Sequence, residues 1–184
     1  PVFDTTPLVL PDAMQTILKL EERTGIRVTS FDAWLKCCEK ELDRAVAEGA
    51  VALKSVLAYT RSILFERTTR ALAEGEFNEF LNSLHRDQMI DQIPIMKTNA
   101  QNYIMHRILE LANERQLVFQ FHTGFQEGTG NYISWTDPTL LTNLFIQYPD
   151  IRFDIFHIGY PFEHTLSALA KNFANVYIDM CWAH

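Results

Sequence analysis

An α/β fold built on a parallel sheet is what this sequence predicts, and three observations predict it. Four short apolar runs stand out: "AVALKSVLAY" (Ala50–Tyr59), "LVFQFH" (Leu117–His122), "IRFDIFH" (Ile151–His157) and "NVYIDMCW" (Asn175–Trp182). The runs are nearly continuous in apolar residues, the pattern of strands covered on both faces. Segments of helical length and periodicity separate them, and strands alternating with helices in this order imply βαβ units.

The elements follow in order. Thr29-Ser30-Phe31-Asp32 reads as a cap for a helix running to about Glu48, with Gly49 placed to stop it. The first strand, Ala50–Tyr59, follows at once. Residues 62–97 are too long for one crossover and read as a helical insert over one end of the sheet, broken near Gly75 and at Ile93-Pro94. Thr98 or Asn99 caps the next helix, whose apolar stripe is Ile104, Ile108, Leu111 and Ala112. After the second strand, Asp137-Pro138 pairs a cap with proline at the first helical position, and Leu141, Leu144 and Phe145 make the stripe. After the third strand and Pro161, Leu166, Leu169, Ala170 and Phe173 make the last. No repeat or low-complexity tract interrupts this order.

Composition narrows the function classes. A chain of 184 residues holds one core of ordinary size, so residues 1–184 are read as one domain. An apolar fraction of 47% with 21% charged residues is that of a globular protein. The net charge of -7 argues against nucleic acid or an anionic membrane as partner, because both need a positive surface. No apolar run approaches the ~20 residues of a membrane span, and no signal segment opens the chain. Cys37, Cys38 and Cys181 are an odd number including an adjacent pair, which points to reduced thiols and a cytoplasmic compartment. The start at Pro1 and the stop at His184, just after a strand, read as cut ends.

Ligands of parallel α/β folds gather at the C-terminal ends of the strands. The second strand delivers His122 there, the third delivers His157, and the fourth delivers Asp179. Neutral imidazole is the commonest nitrogen ligand for zinc, and two rings aimed at one point from adjacent strands would place their nitrogens about 3 Å apart. Lys54 lies inside an otherwise apolar run, where an ammonium needs a carboxylate partner, a lowered pKa, or a position at the strand mouth. Carboxylated, it would become an anionic metal ligand. Asp179 reads as a ligand, a general base or a residue that orients a histidine. Gly124, Gly128 and Gly130 match no phosphate-binding fingerprint, so their loop reads as one that closes over a substrate. Gly124 and Asn131 in that loop, and Tyr160 after His157, are the candidate substrate contacts. His85 and His106 read as surface residues on helices; His164 opens a helix, and His164 and His184 could reach the mouth. Cys37 and Cys38 read as packing residues, and Cys181 lies near the right end of the sheet with no base paired to it.

The blocks "VFQFHTGFQEGTGNY", "LLTNLFIQYPDIRFDIFHIGYPF" and "LAKNFANVYIDMCWAH", with "GAVALKSVLAYTRSI" upstream, resemble the amidohydrolase-related branch of the amidohydrolase superfamily. The resemblance runs in order from about residue 29. It implies a (β/α)8 TIM-type barrel of which this chain holds about strands three or four to seven. It implies one or two divalent metals at the mouth, zinc first and manganese as the alternative, with water as nucleophile. His122 would be the ligand of barrel strand five, His157 that of strand six, and Lys54 a strand-four residue that some members carboxylate. Asp179 would lie on strand seven with no standard ligand role.

The family's His-x-His pair and its strand-eight aspartate have no counterpart here, so the chain reads as an internal piece, inactive alone. The reading is a metal-dependent hydrolase of a small polar substrate. Its alternatives are a sugar-acid isomerase related to uronate isomerases and a non-catalytic barrel module. Open strand edges also leave room for a homo-oligomer.

Overall fold

The structure, a computed structural model, describes residues 1–11, 13–86 and 95–182. In chain order its elements are β1 (Val2–Asp4), α1 (Thr6–Val9), α2 (Met14–Thr24), α3 (Phe31–Ala47), β2 (Ala52–Ser55) and α4 (Arg70–Arg86). There follow α5 (Thr98–Glu114), β3 (Val118–Phe121), α6 (Thr142–Gln147), β4 (Phe153–Ile155), α7 (Glu163–Asn172) and β5 (Val176–Ile178). They fall into two compact units. One comprises Pro1–Thr5, Val51–Glu66 and the chain from Ala112 onward; the other comprises Thr6–Ala50 and Arg67–Leu111.

The first unit holds the sheet. Its five strands are all parallel and lie in the order β1-β2-β3-β4-β5. The order never reverses, which separates a barrel-type winding from the doubly wound sheets whose order turns back at a switch point. Register fixes the two faces. Leu53, Phe119, Phe153 and Val176 form one row, and Ser55, Phe121, Ile155 and Ile178 the next row on that face. Phe119, Phe121, Phe153 and Ile155 on it are fully buried. Phe121 meets Phe65 and Phe153, and Phe145 of α6 closes on Phe153 at 5.2 Å.

The opposite face is not apolar, and this corrects the expectation of strands covered by apolar residues on both sides. Asp4, Lys54, Gln120, Asp154 and Tyr177 lie in register across all five strands. Gln120 donates to Asp154 Oδ2 at 2.9 Å. The strands are also shorter than the apolar runs, because each run continues past its last ladder bond into the turn that carries the site. β1 has only three residues and belongs to the sheet through pairing, which a local pattern does not reveal.

The second unit is helical. Ser30 caps α3 by accepting from the Ala33 amide at 3.2 Å, and Gly49 follows its end at φ 93°, as expected from the sequence. Phe31 and Trp34 of α3 pack on Phe77 of α4 at 5.2 and 5.9 Å between ring centres. Trp34 donates to the Leu8 carbonyl, and Cys37 and Cys38 are buried, Cys37 against Thr24 Oγ1 at 3.0 Å. The fully buried Glu41 is held by Arg23 and Arg44.

Four expectations are corrected here. α4 runs through Gly75 without a break: glycine costs about 1 kcal/mol there, and the buried stripe Ala73, Phe77, Phe80 and Leu81 carries the helix on. Residues 62–69 are not helical. His106, placed at the surface on the strength of its polar neighbours, is 3% exposed and so is no surface residue. In α5, Glu76 supplies the cap, accepting from the Ala100 amide at 3.0 Å and from Asn99 Nδ2 at 2.7 Å. The Ile93-Pro94 break, the side chain of His85, and His184 lie outside the described residues. No described helix is long and apolar enough to cross a membrane.

Candidate metal centre

β3 stops at Phe121, and the next residue, His122, still donates its amide to the Ser55 carbonyl of β2 at 3.0 Å. The imidazole is therefore anchored by backbone on the strand end. Its Nε2 lies 2.8 Å from the Phe125 carbonyl oxygen, and Tyr59 packs on the ring at 4.6 Å. β4 stops at Ile155, and the chain then turns sharply: His157 has φ 64° and Ile158 φ 52°. Left-handed backbone in two successive side-chain-bearing residues, one of them β-branched, costs on the order of 1–3 kcal/mol each. The surroundings hold it in place. Ile158 N donates to the Asp179 carbonyl at 2.7 Å, Tyr160 N to the His157 carbonyl at 3.0 Å, and Thr123 Oγ1 to the Phe156 carbonyl at 2.8 Å.

The turn aims His157 at His122. His157 Nε2 lies 3.2 Å from His122 Nδ1, and both residues are buried. His157 Nδ1 lies 2.8 Å from the Cys181 carbonyl oxygen, and Trp182 stacks on the ring at 4.6 Å and 16°. A carbonyl oxygen only accepts, so the nitrogen facing it carries the proton. That assigns Nε2–H to His122 and Nδ1–H to His157, and in the neutral rings the two nitrogens facing each other are both lone pairs. Burial holds His122 down at about 4, with His157 and Lys54 adding to the effect against the Phe125 bond. Two lone pairs at this distance repel, and a positive charge between them, a shared proton or a metal ion, would relieve that repulsion. Two nitrogens each ~2.1 Å from one ion at a tetrahedral angle stand about 3.4 Å apart, so the donor pair fits a divalent metal. Among the described residues no group of three or more His, Cys, Asp or Glu gathers around one point, so the described residues offer a pair and not a full set.

Lys54 reaches toward the same end. Its Nζ lies over the Phe156 ring, 2.7 Å from the centre. Burial lowers it to about 8, opposed by Asp154, Asp179, Cys181 and Asp4. Burial also raises the Asp154 carboxyl, against the Gln120 hydrogen bond. The lysine thus sits within electrostatic reach of both His122 and Asp179, in a polar row where apolar strand is expected from the sequence. A polar residue at the centre of each apolar run was the available signal.

The remaining expected residues divide. Asp179 follows β5 directly, and its Oδ1 accepts from the Cys181 amide at 2.6 Å. Gly124 has φ 64°, and a Cβ there would fall 2.2 Å from the Tyr160 carbonyl oxygen; its place is the close approach of two loops. Tyr160 is exposed, with its ring edge toward Phe125 at 6.5 Å. Asn131 is exposed and turns its amide to the Glu127 carbonyl within its own loop. His164 is exposed on α7. The carbonyls of Phe125 and Cys181 and the Trp182 ring went unread, because backbone acceptors leave no mark in a sequence. Gln126 is buried beside them, donating to the Ala58 carbonyl at 2.7 Å while its Oε1 has no partner.

The amidohydrolase family model matches residues 13–184. Over 143 residues, 74% of this chain, the sequence is 26% identical to protein fluG of Emericella nidulans, of which that stretch is 16%. It is 26% identical over 113 residues to a uronate isomerase of Caldanaerobacter subterraneus, covering 61% of this chain and 22% of that protein. Among solved structures, a Lactobacillus casei protein classed as a metal-dependent hydrolase superposes with a TM-score of 0.75 at 18% identity, covering 97% of this chain and 43% of its own. The uronate isomerase of Thermotoga maritima superposes at 0.69 with 15% identity, covering 89% and 38%. The chain thus spans less than a quarter of the curated relatives and less than half of the solved chains. The fold is shared: a parallel α/β winding that forms part of a TIM-type barrel.

Proposed function

The chain belongs to the amidohydrolase family, and from that premise we propose that it carries the strand-five and strand-six portion of a metal-dependent hydrolase site. The observation that supports this is the 3.2 Å approach of His122 Nδ1 and His157 Nε2, with the other nitrogen of each ring committed to a backbone carbonyl. His122 and His157 would hold a divalent ion, zinc in the first instance. That ion would supply Lewis acidity, acidifying water and polarising a substrate oxygen. The Phe125 and Cys181 carbonyls orient the rings. Lys54, half-buried and lowered to about 8, holds a proton or a positive charge at Nζ near the same end of the sheet, where an anionic group of a small polar substrate would meet it. Among the described residues no third ligand joins the pair.

A second reading, isomerisation of a sugar acid, is favoured by the uronate isomerases among the relatives and the solved structures. It uses the same pair. Metal analysis of the full-length protein beside His122→Ala and His157→Ala tests the ligand assignment: each variant should lose metal, and unchanged content in both would sink it. Incubation of the loaded protein with uronates and with hydrolysable amides and esters then separates the two activities by product.

A further inference from the structure

We infer that Asp179 is a positioning residue that sets the tautomer of His157 through the backbone of Cys181, and is neither a ligand nor a proton-transferring base. The chain of contacts is continuous. Asp179 Oδ1 accepts from the Cys181 amide at 2.6 Å, and the carbonyl of that same Cys181 accepts from His157 Nδ1 at 2.8 Å. A short charge-assisted bond of this kind is among the stronger ones available to a carboxylate. It closes a tight turn immediately after β5, and that turn points the Cys181 carbonyl back at the imidazole.

The backbone of Asp179 binds the other side of the same feature. Its carbonyl accepts from Ile158 N at 2.7 Å and its amide donates to the Ile155 carbonyl at 2.9 Å. One residue therefore holds the left-handed turn that carries His157 with its main chain, and His157's proton partner with its side chain. With the Cys181 carbonyl in place, His157 is Nδ1–H and turns Nε2 as a lone pair toward His122. Without it, the ring is free to protonate at Nε2, and the lone pair leaves the gap. Trp182, at φ 64° in the same turn, stacks on the imidazole and is placed by the same bond.

The part of the inference that concerns metal rests on the ligand reading above; the tautomer does not. The test is histidine-selective nitrogen NMR on metal-free full-length protein, with zinc titration of the same samples. Native protein should show His157 as Nδ1–H. Asp179→Asn keeps an oxygen that can accept from Cys181 N, so it should keep both the tautomer and a zinc affinity within about threefold of native. Asp179→Ala should shift His157 toward Nε2–H and weaken zinc by roughly 10–100-fold, the usual effect of losing such outer support. An alanine variant with native tautomer and affinity would overturn the inference. So would an asparagine variant that behaves like alanine, since the negative charge itself would then be what matters. If Asp179→Ala does not fold, Asp179→Leu, which also removes the acceptor for the Cys181 amide, takes its place, and a native tautomer in it would overturn the inference. Unchanged zinc binding in His122→Ala and His157→Ala would remove the ligand reading alone, and the tautomer shift would still judge Asp179.

Discussion

His122 Nδ1 and His157 Nε2 stand 3.2 Å apart with no proton assigned to the space between them, because the Phe125 and Cys181 carbonyls take the proton of each ring on its far side. An arrangement of this kind is costly empty and favourable when a cation fills it. Zinc should therefore stabilise the folded protein by mass action, by about 2.7 kcal/mol at a hundredfold excess over its dissociation constant. Thermal unfolding with and without zinc should show a midpoint raised by several degrees in native protein and unmoved in His122→Ala and His157→Ala. A rise of equal size in both variants would contradict the pair as the binding site.

How much of this was legible in the sequence follows from where each feature is encoded. His122 and His157 ending successive apolar runs were legible, because side-chain identity and strand length are local. That their rings meet, through two left-handed residues at His157 and Ile158, was not: Ile158 is a residue that disfavours that backbone, and bonds with Asp179, Thr123 and Tyr160 hold the turn. Lys54 stands out as an anomaly in the sequence, yet Gln120 and Asp154, which lie in the same row, read as parts of apolar runs. Their meaning is a row across the sheet, and rows exist only once the strands are paired. His106 is the opposite case, since its polar neighbours point to exposure while packing of the helix buries it.

Lys54 makes stability depend on pH with a definite sign. Its folded value of about 8 lies below the ordinary 10.5, so between those values the unfolded chain binds more protons and stability rises with pH. Below about pH 8 both states are protonated and the cost of the half-buried ammonium is constant. Lys54→Met should thus be more stable than native at pH 7, by about 1 kcal/mol after allowance for solvent screening. That advantage should shrink as pH climbs from about 8 to 10.5. Urea unfolding across this range checks it, and a constant difference between the two proteins would refute the buried-ammonium account.

Gly124 has two independent reasons to be glycine. Its φ of 64° is left-handed, and an added Cβ would lie 2.2 Å from the Tyr160 carbonyl oxygen and 2.5 Å from the Gly159 carbonyl carbon, both backbone atoms with nowhere to go. Gly124→Ala should destabilise by about 2–4 kcal/mol and push the loop after His122 away from the turn after His157. Gly128→Ala is the control: its φ is 91° but nothing lies within 4 Å, so only the backbone strain should register, at about 1 kcal/mol. Equal losses in the two variants, read by urea unfolding, would mean that loop contact contributes nothing.

Thr123 links the two histidine-bearing turns through one hydroxyl. It is fully buried, follows His122, and donates to the carbonyl of Phe156, the residue before His157, at 2.8 Å. Thr123→Val keeps shape and removes the donor, so one part-buried hydrogen bond is lost at a cost of about 1 kcal/mol. Because that carbonyl starts the left-handed turn, the loss should reach His157 as well as stability, and zinc affinity should fall in the same variant. Thr123→Ser restores the hydroxyl at the price of a methyl group and should recover zinc affinity more fully than stability. Paired urea and zinc titrations distinguish the two effects: a valine variant that loses stability yet binds zinc as native does would show that the hydroxyl supports the fold without steering the ring.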